Sequence, residues 1–217
     1  MKISPIKHDD SNTLLMFSGG LDSTGALWNL LKDETVKLHI HHLHLINPTK
    51  RARAEQIAVK NILSHICKTY HNIKYSESYH EYTSYSYLTQ IVGTNHIILN
   101  ENLISDSDMY NFMAGTICWS LPHIKRVAIG RTKSDDTPEV IERAIRGNEI
   151  LKLLAPNVKK IYPVEYLTKG EIYSMLPEEI RNMTWSCRTP INTSDSIFKE
   201  CGKCKTCLEL GKIKDKK

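Results

Sequence analysis

Leu14-Leu15-Met16-Phe17-Ser18-Gly19-Gly20-Leu21-Asp22-Ser23-Thr24 decides how the rest of the chain is read. Apolar residues run straight into Ser-Gly-Gly, and a helix-forming run, Thr24 to Leu31, follows. This pattern reads as a buried parallel strand, a tight glycine turn and then a helix. Glycines let the backbone come close to a ligand with no Cβ in the way. The N–H groups of a helix's first turn lack intrahelical acceptors. Together with the hydroxyls of Ser18, Ser23 and Thr24 they are expected to form an anion site suited to phosphate or pyrophosphate. The chain contains no Gly-x-x-x-x-Gly-Lys-Ser/Thr, so the turn is not a Walker A loop.

Outward from this turn, strands and helices alternate. Thr13 to Phe17 reads as the first strand and Ser23 to Leu31 as the first helix. Val36 to Ile46 sets Leu38, Ile40, Leu43 and Leu45 among His39, His41, His42 and His44, a second strand. Neighbours on a strand point to opposite faces, so these histidines are not expected to gather around one metal. Lys50 to Tyr70 predicts an amphipathic helix with Ile57, Ile62, Ile66 and Tyr70 towards the core. A short strand over Asn72 to Ser76 follows, then a Tyr-, Ser- and His-rich stretch, His80 to Tyr87, read as a helix or loop packing its tyrosines. Met109 to Leu121 predicts a helix capped by Asp106 or Ser107. Val127 to Ile129 predicts a strand, Pro138 to Leu154 a helix capped by Thr137, and Lys159 to Tyr162 another strand. Thr168 and Glu171 open a helix from Lys169 to Met175 as a capping box. The expected architecture is α/β: a doubly wound parallel sheet with helices on both faces. Ligands bind beyond the carboxyl ends of such strands. Three loops should therefore meet at one rim: Ser18 to Ser23, Asn47 to Arg53 and Gly130 to Asp136.

The bulk properties narrow the function. At 217 residues the chain suits one main domain with a small appendage. Two parts are expected: an ATP-binding α/β domain over 1–180 and a C-terminal metal-binding segment over 181–217. No apolar run is long enough to span a membrane and Met1 to Asn12 has no signal-peptide core, so a cytoplasmic location is expected. The net charge of +5 is compatible with anionic small molecules and does not require direct nucleic-acid binding. Cys67 and Cys118 fall in apolar helical patterns and are expected to be buried. Cys187, Cys201, Cys204 and Cys207 form Cys-x13-Cys-x2-Cys-x2-Cys, which fits a tetrahedral zinc ion, with Gly202 relieving the knuckle turn. An iron–sulfur cluster is the main rival. With no open coordination position, the site's expected role is structural.

Ser18-Gly19-Gly20-Leu21-Asp22-Ser23-Thr24 resembles the PP-loop of the ATP pyrophosphatase superfamily, whose members cleave ATP to AMP and pyrophosphate while activating a substrate oxygen. Thr184-Trp185-Ser186-Cys187 and Cys201-Gly202-Lys203-Cys204-Lys205-Thr206-Cys207 extend the likeness, as do Leu167-Thr168-Lys169-Gly170-Glu171-Ile172 and Pro138-Glu139-Val140-Ile141-Glu142. Together these segments resemble the 7-cyano-7-deazaguanine synthase family. The resemblance implies an adenine nucleotide alpha hydrolase-like fold, a homodimer and an ATP-dependent carbon–nitrogen ligase. Such an enzyme converts 7-carboxy-7-deazaguanine and ammonia to 7-cyano-7-deazaguanine, through an adenylated carboxylate and an amide, towards queuosine-type bases. On this likeness residues 18–24 bind ATP. Asp22, Ser23 and Lys169 serve catalysis, Asp22 anchoring Mg²⁺ and Lys169 neutralising a phosphate or the substrate carboxylate. Arg131, Asp135 and Asp136 contact the substrate, and the four C-terminal cysteines hold Zn²⁺. The family's Asp-Tyr-Ser-Gly-Tyr-Pro-Asp-Cys loop is replaced here by the shorter 130–137, and its Pro-Gly-Arg-Asn by Ser105 to Asn111. The alternative is therefore a divergent PP-loop enzyme that adenylates another acid, stops at the amide, or modifies a nucleic acid or protein.

Overall fold

All of β1 (Thr13–Met16) is buried, and Phe17 beyond it is 0% exposed. Only a central strand covered on both faces hides every side chain this way. The computed structural model describes residues 11–46, 51–71, 73–81, 105–135, 137–194 and 197–215. The strands β1, β2 (Leu38–Ile46), β3 (Lys74–Glu81), β4 (Arg126–Ile129) and β5 (Lys159–Ile161) form a parallel sheet in the order β3-β2-β1-β4-β5. The strand order reverses direction between β1 and β4. A crevice opens there at the carboxyl ends, where this class of sheet binds ligands.

Helices cover both faces. Leu15 and Phe17 point into a core with α1 (Leu21–Leu30), α2 (Ala52–Ile66), α5 (Lys169–Met175) and α6 (Glu178–Met183). Leu14 and Met16 point into the opposite core with α3 (Asp106–Ser120) and α4 (Pro138–Leu154). This is the doubly wound architecture that the alternation of elements predicts. β2 divides its apolar residues between the two cores. Leu38 and Ile40 enter the first, Leu43 and Leu45 the second. The parity changes at His41-His42, so each face carries two histidines and all four are buried. Hydrogen bonds hold them in place: His39 Nε2 and His41 Nδ1 lie 2.7 and 2.8 Å from Ser76 Oγ, and His42 Nδ1 lies 2.9 Å from the Phe17 carbonyl, while His42 Nε2 is buried without a partner.

Several local expectations shift. α1 begins at Leu21, earlier than Ser23, because its first N–H is capped from far along the chain. In α2 the buried stripe is Val59, Ile62, Leu63 and Ile66, an i, i+3, i+4, i+7 set, and Ile57 lies off it, half-buried. Cys67 follows the last turn and is exposed, whereas Cys118 is buried in the second core. The cap of α3 is Ser105, not Asp106 or Ser107. Its N–H donates to Asp108 Oδ2 at 2.7 Å, closing a capping box. β3 runs on to Glu81, and residues 82–87 of the tyrosine-rich stretch lie outside the described residues. After α6 come an antiparallel pair, β6 (Ile191–Ser194) with β7 (Ile197–Lys199), and α7 (Lys205–Lys214). Leu210 of α7 enters the first core. No helix among the described residues is long and apolar enough to cross a membrane.

Candidate active site

The turn after β1 is shaped by Gly19, which has φ 73°, a left-handed conformation that glycine adopts without steric cost. It seats the turn against α2, where an added Cβ would lie 3.0 Å from the Val59 backbone nitrogen. Gly20 is the N-cap of α1, and Leu21, Asp22 and Ser23 supply the first-turn N–H groups. Ser18 Oγ and Ser23 Oγ lie 3.1 Å apart, and Ser23 Oγ also donates to the Gly20 carbonyl at 3.1 Å. Thr24 is 0% exposed and its hydroxyl has no partner, so it does not open on the site. Gly130, at the end of β4, abuts this first turn. A Cβ there would sit 2.6 Å from Ser23 N.

A pocket of about 500 Å³ lies over the crevice. Ser18, Gly20, Leu21, Asp22, Ser23, Arg131, Asp135 and Lys169 line it, which brings most of the residues singled out from the sequence to one place. Asp136 lies outside the described residues. Asp22 Oδ1 is buried with no hydrogen-bond partner, and burial pushes its carboxyl up to about 7 against the opposing pull of Lys169. Lys169 Nζ is 2.7 Å from Glu209 Oε2 and 4.0 Å from Asp135 Oδ1. Those carboxylates and Asp22 overcome the effect of burial, and the ammonium is held above its ordinary range. Asp135 Oδ2 is already committed to its own loop, accepting from Thr132 N and Oγ1, each at 3.0 Å.

The remaining walls were not legible as site residues. Arg51 pairs with Glu55 at 3.2 Å and with Asp106, and burial pushes the Glu55 carboxyl up to about 7. On the β5 side stand Lys160 and Tyr162, with Arg143 of α4. From the C-terminal segment come Trp185, Ser186 and Arg188. Trp185 N–H donates to the Gly19 carbonyl at 2.9 Å, and Leu21 N–H donates to Ser186 Oγ at 3.1 Å. The segment thus latches onto both ends of the glycine turn. Ser186 lies within the quoted Trp-Ser-Cys, but nothing in local sequence says that it caps a helix 165 residues away.

Immediately after this latch, Cys187 meets Cys201, Cys204 and Cys207, with all four sulfurs within 4.8 Å of one another. Gly202 takes φ 67° in the knuckle. Backbone N–H groups of Lys203 and Cys204 donate to Cys201 Sγ at 3.4 and 3.3 Å, and the Thr189 hydroxyl donates at 3.2 Å. These donors favour the thiolate and bring the Cys201 thiol down to about 6. Four sulfurs this close could hold a metal ion.

The profile of the family described as queuosine biosynthesis protein QueC matches residues 12–212. Among solved structures, the U34-tRNA thiolase NcsA from Methanococcus maripaludis, determined with its [4Fe-4S] cluster, superposes with a TM-score of 0.51 at 18% identity. The match covers 94% of this chain and 64% of that one, so the chain spans less than two thirds of the thiolase's length. That likeness speaks for the fold. No curated protein matches the chain. The fold, the turn and the near end-to-end profile match agree, and the chain belongs to the QueC family of queuosine biosynthesis proteins.

Proposed function

We propose that this protein is an ATP-dependent carbon–nitrogen ligase that converts 7-carboxy-7-deazaguanine and ammonia to 7-cyano-7-deazaguanine. The observation that carries the reading is the convergence on one pocket of the first turn of α1, the Asp22 carboxyl, whose buried Oδ1 has no hydrogen-bond partner, and Lys169. The substrate carboxylate attacks the α-phosphorus of ATP and pyrophosphate leaves. Ammonia then adds to the acyl adenylate, and AMP departs to give the amide. A second ATP activates the amide oxygen in the same way, and loss of AMP and a proton leaves the nitrile. In each activation negative charge gathers on the departing pyrophosphate. Backbone N–H groups of the turn, the Ser18 and Ser23 hydroxyls and the Lys169 ammonium are the groups here that stabilise it. Asp22 fits a Mg²⁺ ligand, because a buried carboxylate oxygen without a donor is satisfied by a cation. Bound there, Mg²⁺ supplies charge neutralisation at the phosphates. Arg131 and Asp135 are proposed to contact the acid.

The four cysteines fit Zn²⁺. A tetrahedron with Zn–S of about 2.3 Å has sulfurs about 3.8 Å apart, and Cys201 Sγ and Cys207 Sγ are 3.9 Å apart. That spacing supports one ion over a four-iron cluster. Residues 181–217 are proposed as a metal-bound segment that holds the glycine turn through Trp185 and Ser186 and brings Glu209 to Lys169. The test is incubation with ATP, Mg²⁺, ammonium and 7-carboxy-7-deazaguanine, with products read by mass spectrometry. Nitrile and AMP are the expected products, in a ratio of two AMP per nitrile. The absence of AMP from a metal-replete sample overturns the reading.

A further inference from the structure

The pocket has two electrically different sides. Near the turn, Lys169 is matched by Glu209 and Asp135, and Arg51 by Glu55 and Asp106. The β5 side gathers Lys160, Arg131 and Arg143 around Tyr162. Lys160 lies on β5 and Tyr162 directly follows the strand, and both line the pocket. Lys160 Nζ stands 5.4 Å from the centre of the Tyr162 ring, and Arg131 Cζ stands 5.5 Å from the same centre. Arg143 of α4 lines the same pocket. Lys160 forms no ion pair among the described residues. The acid that faces it from α3, Asp108, is held by Arg146 at 2.8 Å. Burial and the neighbouring Arg131 push the Lys160 ammonium down to about 8, and an anion bound between the two cations would reverse that shift.

We infer that Lys160, sharing the Tyr162 ring with Arg131, binds the carboxylate of the acid substrate and makes the pocket select the charged acid over uncharged compounds of the same size. This rests on the ligase reading. It makes Lys160 a specificity-determining residue on a strand, where the family's substrate loop is altered.

The experiment compares wild type, Lys160→Met and Lys160→Arg in two measurements. The first is AMP formation at saturating ATP with 7-carboxy-7-deazaguanine varied. The second is calorimetric binding of that acid and of uncharged 7-cyano-7-deazaguanine. Loss of a hydrogen bond to a charged partner predicts a KM for the acid raised about tenfold or more in Lys160→Met. The KM for ATP and the affinity for the uncharged base should stay within about twofold, and Lys160→Arg should restore most of the acid affinity. A merely structural role would weaken both bases together, so equal losses overturn the assignment. An unchanged KM for the acid in Lys160→Met, with AMP still formed, overturns the assignment and leaves the ligase reading standing. No AMP from wild type overturns the ligase reading and this assignment with it.

Discussion

Replacing Gly130 by alanine adds a single methyl group where β4 meets the first turn of α1. That methyl would lie 2.6 Å from Ser23 N and 2.7 Å from both Asp22 C and Ser23 Cα. Ordinary contacts begin near 3.4 Å, so about 0.8 Å of relief is needed. All the atoms it meets are backbone, and no side-chain rotamer can provide that relief. Either β4 or α1 must move, and overpacking of this kind costs about 1–3 kcal/mol. For a chain of this size the melting temperature should fall by about 2–4 °C for each kcal/mol. The functional loss should be larger than the stability loss suggests. The displaced atoms belong to Asp22 and Ser23, and a misplacement of about 1 Å at a reacting centre can lower the rate about 100-fold. The assay is thermal unfolding alongside AMP formation. Gly211→Ala is the control, since a Cβ at Gly211 meets nothing within 4 Å. Alanine there, inside α7, should be neutral or stabilising by up to about 1 kcal/mol. A Gly130→Ala protein that melts with wild type and makes AMP at the wild-type rate would refute the packing argument.

Three further outcomes are expected. Cys204→Ser should lower the bound metal below one ion per chain by elemental analysis and loosen the C-terminal segment to proteolysis, because metal binding and local folding are coupled; full metal content in this variant would exclude Cys204 as a ligand. Ser186→Ala leaves the Leu21 N–H without its acceptor, which should cost about 0.5–1.5 kcal/mol and raise the KM for ATP; unchanged stability would show that solvent replaces the hydroxyl. His41 and His42 should each contribute a loss of stability as the pH drops from 6.5 towards 4, because burial holds both rings at about 4, while the buried Asp22 and Glu55 carboxyls, held at about 7, act in the opposite direction. In that window the two imidazoles bind protons in the unfolded chain that they do not bind in the folded one, and their part is isolated by comparing wild type with the His42 variant. The stabilisation present above pH 6.5 is therefore lost at up to about 1.4 kcal/mol per pH unit for each ring. Urea titrations across this range check it, and a slope unaltered by His42→Asn would exclude that ring.

The zinc reading and the latch at the glycine turn meet at Trp185-Ser186-Cys187. Ser186 caps α1 and Trp185 holds Gly19, while the next residue enters the cysteine group. Metal capture should therefore order the nucleotide turn as well as the tail. Glu209, on α7, the helix that carries Cys207, extends this link to Lys169 at 2.7 Å.

Sequence alone was enough for much of what depends on neighbours along the chain, although it placed the cap of α3 at Asp106 or Ser107 where the structure has Ser105. The apolar run into Ser-Gly-Gly, the Thr137-Pro138 and Thr168–Glu171 helix starts and the Cys-x2-Cys-x2-Cys knuckle are local patterns whose geometry is set within a few residues. The alternation of such units implies a parallel sheet covered on both faces. Only the tertiary structure could decide that Ser186 caps α1, that Gly130 must be glycine, that Glu209 holds Lys169 and that Lys160 faces the pocket beside Arg131. Each of these depends on two segments far apart in sequence arriving at the same few ångströms. Periodicity and capping propensity carry no information about that meeting, because it is fixed by strand order and by how the cores pack.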